Sequence, residues 1–103
     1  MVMASLGFRV QLHKRAEVMS AMDDLRERMR GRSGCLRNRL LADVEDPAVF
    51  TLASEWCDSD AAVSFFESRE FRPFRAIRIL LRDEPVIVLD DVQGRVTRLI
   101  RNC

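Results

Sequence analysis

A chain of 103 residues, 48% hydrophobic and 32% charged, has the length and composition of one folded domain. A chain this short buries a modest core, so a large interface with a second copy would help it. The formal net charge of +1 supplies no long-range field to recruit nucleic acid or anionic lipid. Of the seventeen basic residues only Lys14 is a lysine. The arginines are spread along the chain, with Arg26 to Arg32 the only cluster, and Asp23, Asp24 and Glu27 interrupt or flank it. Cys35, Cys57 and Cys103 are odd in number, far apart and without a CxxC pair, so the expectation is a reducing compartment, with no disulfide framework and no metal site. The N-terminal Met1-Val-Met-Ala-Ser lacks a basic region ahead of an apolar one, and no apolar run approaches membrane-spanning length. A cytoplasmic protein with no membrane partner is expected.

Leu6, Phe8, Val10 and Leu12 alternate with Gly7, Arg9, Gln11 and His13, a period of two that predicts a half-buried first strand. The period then changes. Val18, Met22, Leu25 and Met29 form one stripe of an amphipathic helix, with Glu17 near its start and Arg26, Arg28 and Arg30 near its end. Gly31 and Ser33-Gly34 stop it. Two strands come next, Cys35 to Ala42 and Ala48 to Trp56, joined by a turn at Glu45-Asp46-Pro47.

Asp58-Ser59-Asp60 supplies cap candidates for a second helix from about Ala61 to Ser68. Phe71, Phe74, Ile77 and Leu81 keep helical spacing through Pro73, which predicts a bend and a new short helix starting near Arg72. Asp83-Glu84-Pro85 breaks it, and the apolar run Val86 to Leu89 is the fourth strand. Asp90-Asp91 and Gly94 loosen the end of that strand. The tail, with Val96, Leu99 and Ile100, reads either as a frayed helix or as an arm across a partner.

The order β-α-β-β-α-β is the ferredoxin-like arrangement, an α+β fold with an antiparallel sheet and its helices on one face. The expectation is a single domain over 1–103, with a core of about 4–92 and a tail of 93–103. The uncovered face must be solvated or packed on something, and two such sheets packed face to face close a dimeric α+β barrel. On this phasing Arg9, Gln11 and His13 point to the open face, and Arg9, Arg37, Arg39 and Glu55 meet there.

Ser33-Gly34-Cys35, Asp43 to Pro47, Phe50 to Trp56, Ser59-Asp60-Ala61-Ala62 and Ser68-Arg69-Glu70-Phe71 together resemble the antibiotic biosynthesis monooxygenase family. That family shows a glycine before the second strand, a small-x-Trp at the end of the third, a capped helix, and Ser-x-x-Phe after it. The resemblance implies a homodimer with a pocket between sheet and helices in each protomer. Characterised members oxidise aromatic polyketide intermediates or quinols with molecular oxygen and with no metal or flavin. Oxygen chemistry ordinarily needs a cofactor. A deprotonated anthrone or hydroquinone can itself reduce oxygen, which leaves the protein to orient it, exclude water and stabilise the anion.

The resemblance puts Trp56 at the pocket and a substrate-contacting arginine near Arg75 and Arg78; the catalytic candidates are Trp56 and Arg75, and the substrate-binding candidates, which would line a flat aromatic pocket, are Phe8, Phe50, Leu52, Phe66, Phe71, Phe74 and Arg78. The same residues have plainer readings. The aromatics are also the natural core of a small domain, and Arg69, Arg72, Arg75, Arg78 and Arg82 recur at helical spacing as a solvated stripe. His13, the only histidine, reads as a base or as a surface residue at a strand end. Leu52 stands where some members carry asparagine, the chain has no tyrosine, and Arg75 occupies the helix where the haem-degrading branch has its histidine.

The leading expectation is therefore an oxidation of a small aromatic or quinol by molecular oxygen without a cofactor. The alternative is a non-catalytic ligand-binding or sensing dimer of the same superfamily, and the third is a haem-binding or haem-degrading protein.

Overall fold

The computed structural model describes residues 1–91 and, as a strand, 96–101. In chain order the elements are β1 (Val2–Arg9), α1 (Arg15–Arg30), β2 (Cys35–Ala42), β3 (Val49–Trp56), α2 (Ser59–Phe66), α3 (Arg72–Ile77), β4 (Val86–Asp91) and β5 (Val96–Arg101). The strands form one antiparallel sheet in the order β2-β3-β1-β4-β5. The first four strands have the ferredoxin-like α+β arrangement expected from the sequence.

Register follows from period. β1 pairs β3 with Leu6 opposite Leu52 and Phe8 opposite Phe50, and pairs β4 with Leu6 opposite Ile87. Paired residues share a face, so Ala4, Leu6, Phe8, Phe50, Leu52, Trp56, Ile87 and Leu89 all turn to the helices and are buried. The stripe Val18, Met22, Leu25 and Met29 of α1 meets them and is wholly buried. Arg26 secures the helix to β2: its Nε donates to Asn38 Oδ1 at 2.7 Å, and Asn38 Nδ2 donates back to the Arg26 carbonyl at 3.3 Å.

The caps divide as the residues suggest, with one exchange. Asp58 caps α2, its Oδ1 accepting from the Ala61 amide at 2.8 Å. Pro73 sits in the first turn of α3, after a single 3-10 turn at Arg69–Phe71. Gly31, expected to stop α1, keeps a right-handed conformation; the left-handed residue is Gly34, at φ 97°. A side chain there would put its Cβ 2.8 Å from Ala61 Cβ, so this glycine lets the entry to β2 approach the start of α2.

Two expectations give way. Val10 ends the alternation in a bridge to Leu81, and Leu12 and His13 leave the strand for a 3-10 turn, where Leu12 is 57% exposed. The tail is neither helix nor detached arm: residues 96–101 form β5, pairing with β4 so that Ile87 lies opposite Ile100 and Val88 opposite Leu99. The spacing of Val96, Leu99 and Ile100 suits a helix locally, but the outer edge of β4 offers a row of backbone groups that a strand satisfies and a helix cannot. Gly94 and Cys103 lie outside the described residues.

Candidate functional site

All six phenylalanines and the single tryptophan join in one buried layer between sheet and helices. Trp56 packs on Phe65 and Phe66 with centroids 5.5 and 6.2 Å away, Phe66 meets Phe71 edge-on at 5.1 Å, and Phe71 stacks on Phe74 at 5.3 Å. Phe74 then meets Phe8, which stacks on Phe50, both at 5.8 Å. These are the separations at which aromatic pairs attract beyond their buried area. The expected pocket residues Phe8, Phe50, Leu52, Trp56, Phe66, Phe71 and Phe74 are thus brought together, as a close-packed layer.

One polar thread runs through it. The Trp56 indole Nε1 donates to Ser54 Oγ at 2.8 Å, and the Ser54 hydroxyl donates to the Ala4 carbonyl at 3.4 Å. Ser54 is the one buried polar residue among the described residues. Sequence reasoning missed it as a partner for the tryptophan. The signal was present, because residues two apart on a strand share a face.

Arg75 leaves the solvated stripe and turns inward. Its Nη2 donates to the Phe66 carbonyl at 2.7 Å, its guanidinium lies 5.6 Å from the centre of the Phe71 ring, and its Nε is buried with no hydrogen-bond partner. A guanidinium so placed presents an unpaired donor at the edge of the aromatic layer. Arg78, in contrast, is exposed and 3.9 Å from Glu84.

A second constellation lies at the end of β1. A depression of about 600 Å³ is lined by residues 9–13, by Asp46 to Ala48 and by Arg82. Backbone bonds stitch its walls: Val10 N to Ala48 O at 2.8 Å, Gln11 N to Leu80 O at 3.3 Å, and Arg82 N to Arg9 O at 2.8 Å. Arg9 donates from Nη1 to Asp46 Oδ2 at 2.6 Å and lies 3.4 Å from Asp83. The Ala48 amide, donating to Oδ1 at 2.9 Å, and the Arg9 guanidinium hold the Asp46 carboxyl below its usual range, and Asp46 in turn makes Arg9 more basic. His13 is exposed on the rim. Asp46 and Arg82, distant in sequence from Arg9, join this site only through the fold.

The four open-face residues expected to meet are divided. Arg37 donates to Glu55 at 3.3 Å, with Arg39 and Met3 beside them, whereas Arg9 lies at the far end of β1 with Asp46. Among the described residues no three His, Cys, Asp or Glu side chains gather as metal ligands would, and no helix is long and apolar enough to cross a membrane.

The family model described as antibiotic biosynthesis monooxygenase matches residues 1–77. Among solved structures, one described as an antibiotic biosynthesis monooxygenase is similar at 25% identity, covering 89% of this chain and 98% of its own, with a TM-score of 0.82. A conserved protein from Methanosarcina mazei Go1 is similar at 22% identity over 85% of this chain and 88% of its own, TM-score 0.80. Rv0793 from Mycobacterium tuberculosis shares the fold at 18% identity over 87% of this chain and 92% of its own, TM-score 0.79. No curated protein matches the sequence.

Proposed function

Because this chain belongs to the antibiotic biosynthesis monooxygenase family, which supports a monooxygenase-like function in general terms, we propose that it oxidises a small electron-rich aromatic, an anthrone or a quinol, with molecular oxygen and no cofactor. The observation that carries this reading is the buried, unpartnered Nε of Arg75 beside the aromatic layer. An unpaired buried donor costs about 1–3 kcal/mol. A ligand's anionic oxygen would satisfy it, and the same donor would stabilise an enolate or phenolate as it forms.

The substrate's flat rings would enter between Trp56, Phe66 and Phe71, displacing ring–ring contacts with equivalent ones. Deprotonation makes the substrate the reductant. An anthrone then takes up one dioxygen at its methylene carbon and loses one water to give the quinone. Arg75 would hold the anion, Trp56 and the phenylalanines would orient it, and the dry layer would keep competing water out. The remaining expected contacts, Phe8, Phe50, Leu52, Phe74 and Arg78, would shape the pocket's far wall and mouth.

A homodimer belongs to the same reading. The open face of the sheet carries Met3, Ser5, Thr51, Ala53, Val86 and Val88, partly covered within one chain and uncharged, which a second copy would complete. Light scattering should then give about twice the 11.9 kDa of the chain.

Oxygen uptake by metal-free protein over a panel of anthrones and hydroquinones tests the reaction. Trp56→Phe and Arg75→Ala should each lower the rate, the latter by about 10²–10³-fold if it supplies the anion's donor. If neither substitution moves a measured rate, the site is wrongly placed. The close packing of the aromatic layer favours the second reading, a non-catalytic ligand-binding dimer. That reading expects saturable binding of the same aromatics without uptake.

A further inference from the structure

We propose that the depression at the end of β1 is a binding site for a small organic carboxylate with an apolar body, separate from the aromatic layer and independent of the oxidation proposed above. Its volume, about 600 Å³, lies within the range of small-molecule sites, about 300–1,000 Å³. Its walls come from three segments joined by backbone hydrogen bonds, so the site is formed before any ligand arrives.

The distribution of used and unused groups selects the ligand. Asp46 is fully engaged, with Oδ2 taken by Arg9 and Oδ1 by the Ala48 amide. Arg9 is engaged in turn by Asp46 and Asp83. Arg82 makes no side-chain hydrogen bond or ion pair among the described residues, although it lines the same hollow and lies near enough to bias the Asp46 carboxyl electrostatically. Gln11 donates from Nε2 to the Ile79 carbonyl at 3.4 Å, so the lining polar side chains with no hydrogen bond or ion pair among the described residues are Arg82 and His13. A guanidinium presents a planar fork of donors that matches a carboxylate in bidentate fashion.

Two of the lining residues are apolar and accessible. Leu12 leaves more than half of its surface exposed, and Pro47 lines the same hollow. An aryl or short alkyl body would cover Leu12 and Pro47 while its carboxylate reached Arg82 and His13. The Arg9–Asp46 pair engages the one carboxylate among the lining residues, which leaves none unpaired to attract a cation.

The test uses the full chain, labelled with nitrogen-15, titrated with benzoate, with hexanoate and with benzamide as the neutral counterpart of benzoate. Benzoate and hexanoate are expected to give saturable shifts of the Gln11, His13 and Ala48 amides, with benzamide at least about tenfold weaker. Arg82→Gln should raise the benzoate Kd by about tenfold or more, the loss of one charge-assisted contact. Arg72→Gln, which removes an exposed arginine from α3, should leave it unchanged. Equal affinity for benzamide and benzoate, an unchanged Kd in Arg82→Gln, or no saturable shift at these amides would each overturn the proposal. None of these readouts depends on oxygen uptake, so the failure of one reading does not imply failure of the other.

Discussion

Ser54→Ala removes one oxygen atom from the driest part of the molecule. Ser54 Oγ is the sole acceptor for the Trp56 indole N–H, at 2.8 Å, and its own bond to the Ala4 carbonyl is long, at 3.4 Å. The Ala4 carbonyl sits in the β1·β3 ladder opposite Ser54, so losing the hydroxyl leaves the indole, more than the carbonyl, in deficit. Trp56 is fully buried, and water cannot replace the acceptor. An unsatisfied buried donor costs about 1–3 kcal/mol. We expect a loss of about 2 kcal/mol, which for a domain of this size lowers Tm by about 8–16 °C.

Urea unfolding followed by circular dichroism measures this loss, and the m-value should not change, because the surface exposed on unfolding does not. The decisive comparison is with Trp56→Phe. In that background there is no indole to strand, so the cost of Ser54→Ala should shrink by about 1 kcal/mol or more, a coupling typical of groups in direct contact. Equal costs in the two backgrounds would refute the pairing and with it the view that the tryptophan is a satisfied member of the layer.

Gly34→Ala should destabilise by about 2 kcal/mol or more, because φ 97° is strained for any side chain and the new Cβ meets Ala61. Adding Ala61→Gly should recover only the part due to the clash, which urea midpoints of the single and double variants resolve. Asp58→Ala removes the cap of α2 and should cost about 1 kcal/mol in thermal melts; no change would mean that the 2.8 Å bond to the Ala61 amide contributes nothing net. Asp46→Asn tests linkage. The folded carboxyl lies below its ordinary 3.8, so its contribution is present above that value and disappears as pH falls through the lower folded one. Melts from pH 7 downward should therefore show wild type more stable than the variant near neutrality, with the gap closing below about pH 4. A gap that stays constant into acid would refute the assignment.

The strands and the main helix were legible because their periods are clean. Leu6, Phe8 and Val10 alternate with Gly7, Arg9 and Gln11, Phe50, Leu52 and Trp56 recur at every second or fourth position, and Val18, Met22, Leu25 and Met29 recur at helical spacing, so each element declared its buried face. Leu12 misled because alternation continues for one more step than the strand does; the chain turns at Gln11, whose amide and side chain bond the 79–80 carbonyls. No local pattern carries that information. β5 was missed for the same kind of reason, since its pairing responds to the exposed edge of β4 and its own spacing mimics a helix. The candidate site divides likewise. The aromatic residues were each identifiable as buried, yet whether they leave a hollow or fill it depends on contacts between α2, α3 and the sheet.

Sequence alone determined the order of elements through β4, the faces they bury, the cap candidates at 58–60 and the family to which the chain belongs, because these depend on residue type and spacing over a few turns. Tertiary structure decided where Arg75, Arg82 and Asp46 sit and what they touch. Arg75 stands in a row of evenly spaced arginines that the sequence cannot tell apart; only the packing of α3 turns this one toward the Phe66 carbonyl and Phe71 while Arg78 stays in solvent. Arg9, Asp46 and Arg82 become neighbours because antiparallel pairing brings the end of β1, the β2–β3 turn and the approach to β4 to the same end of the sheet. Charge pairing acts over a few ångströms of space, and separation along the chain does not constrain it.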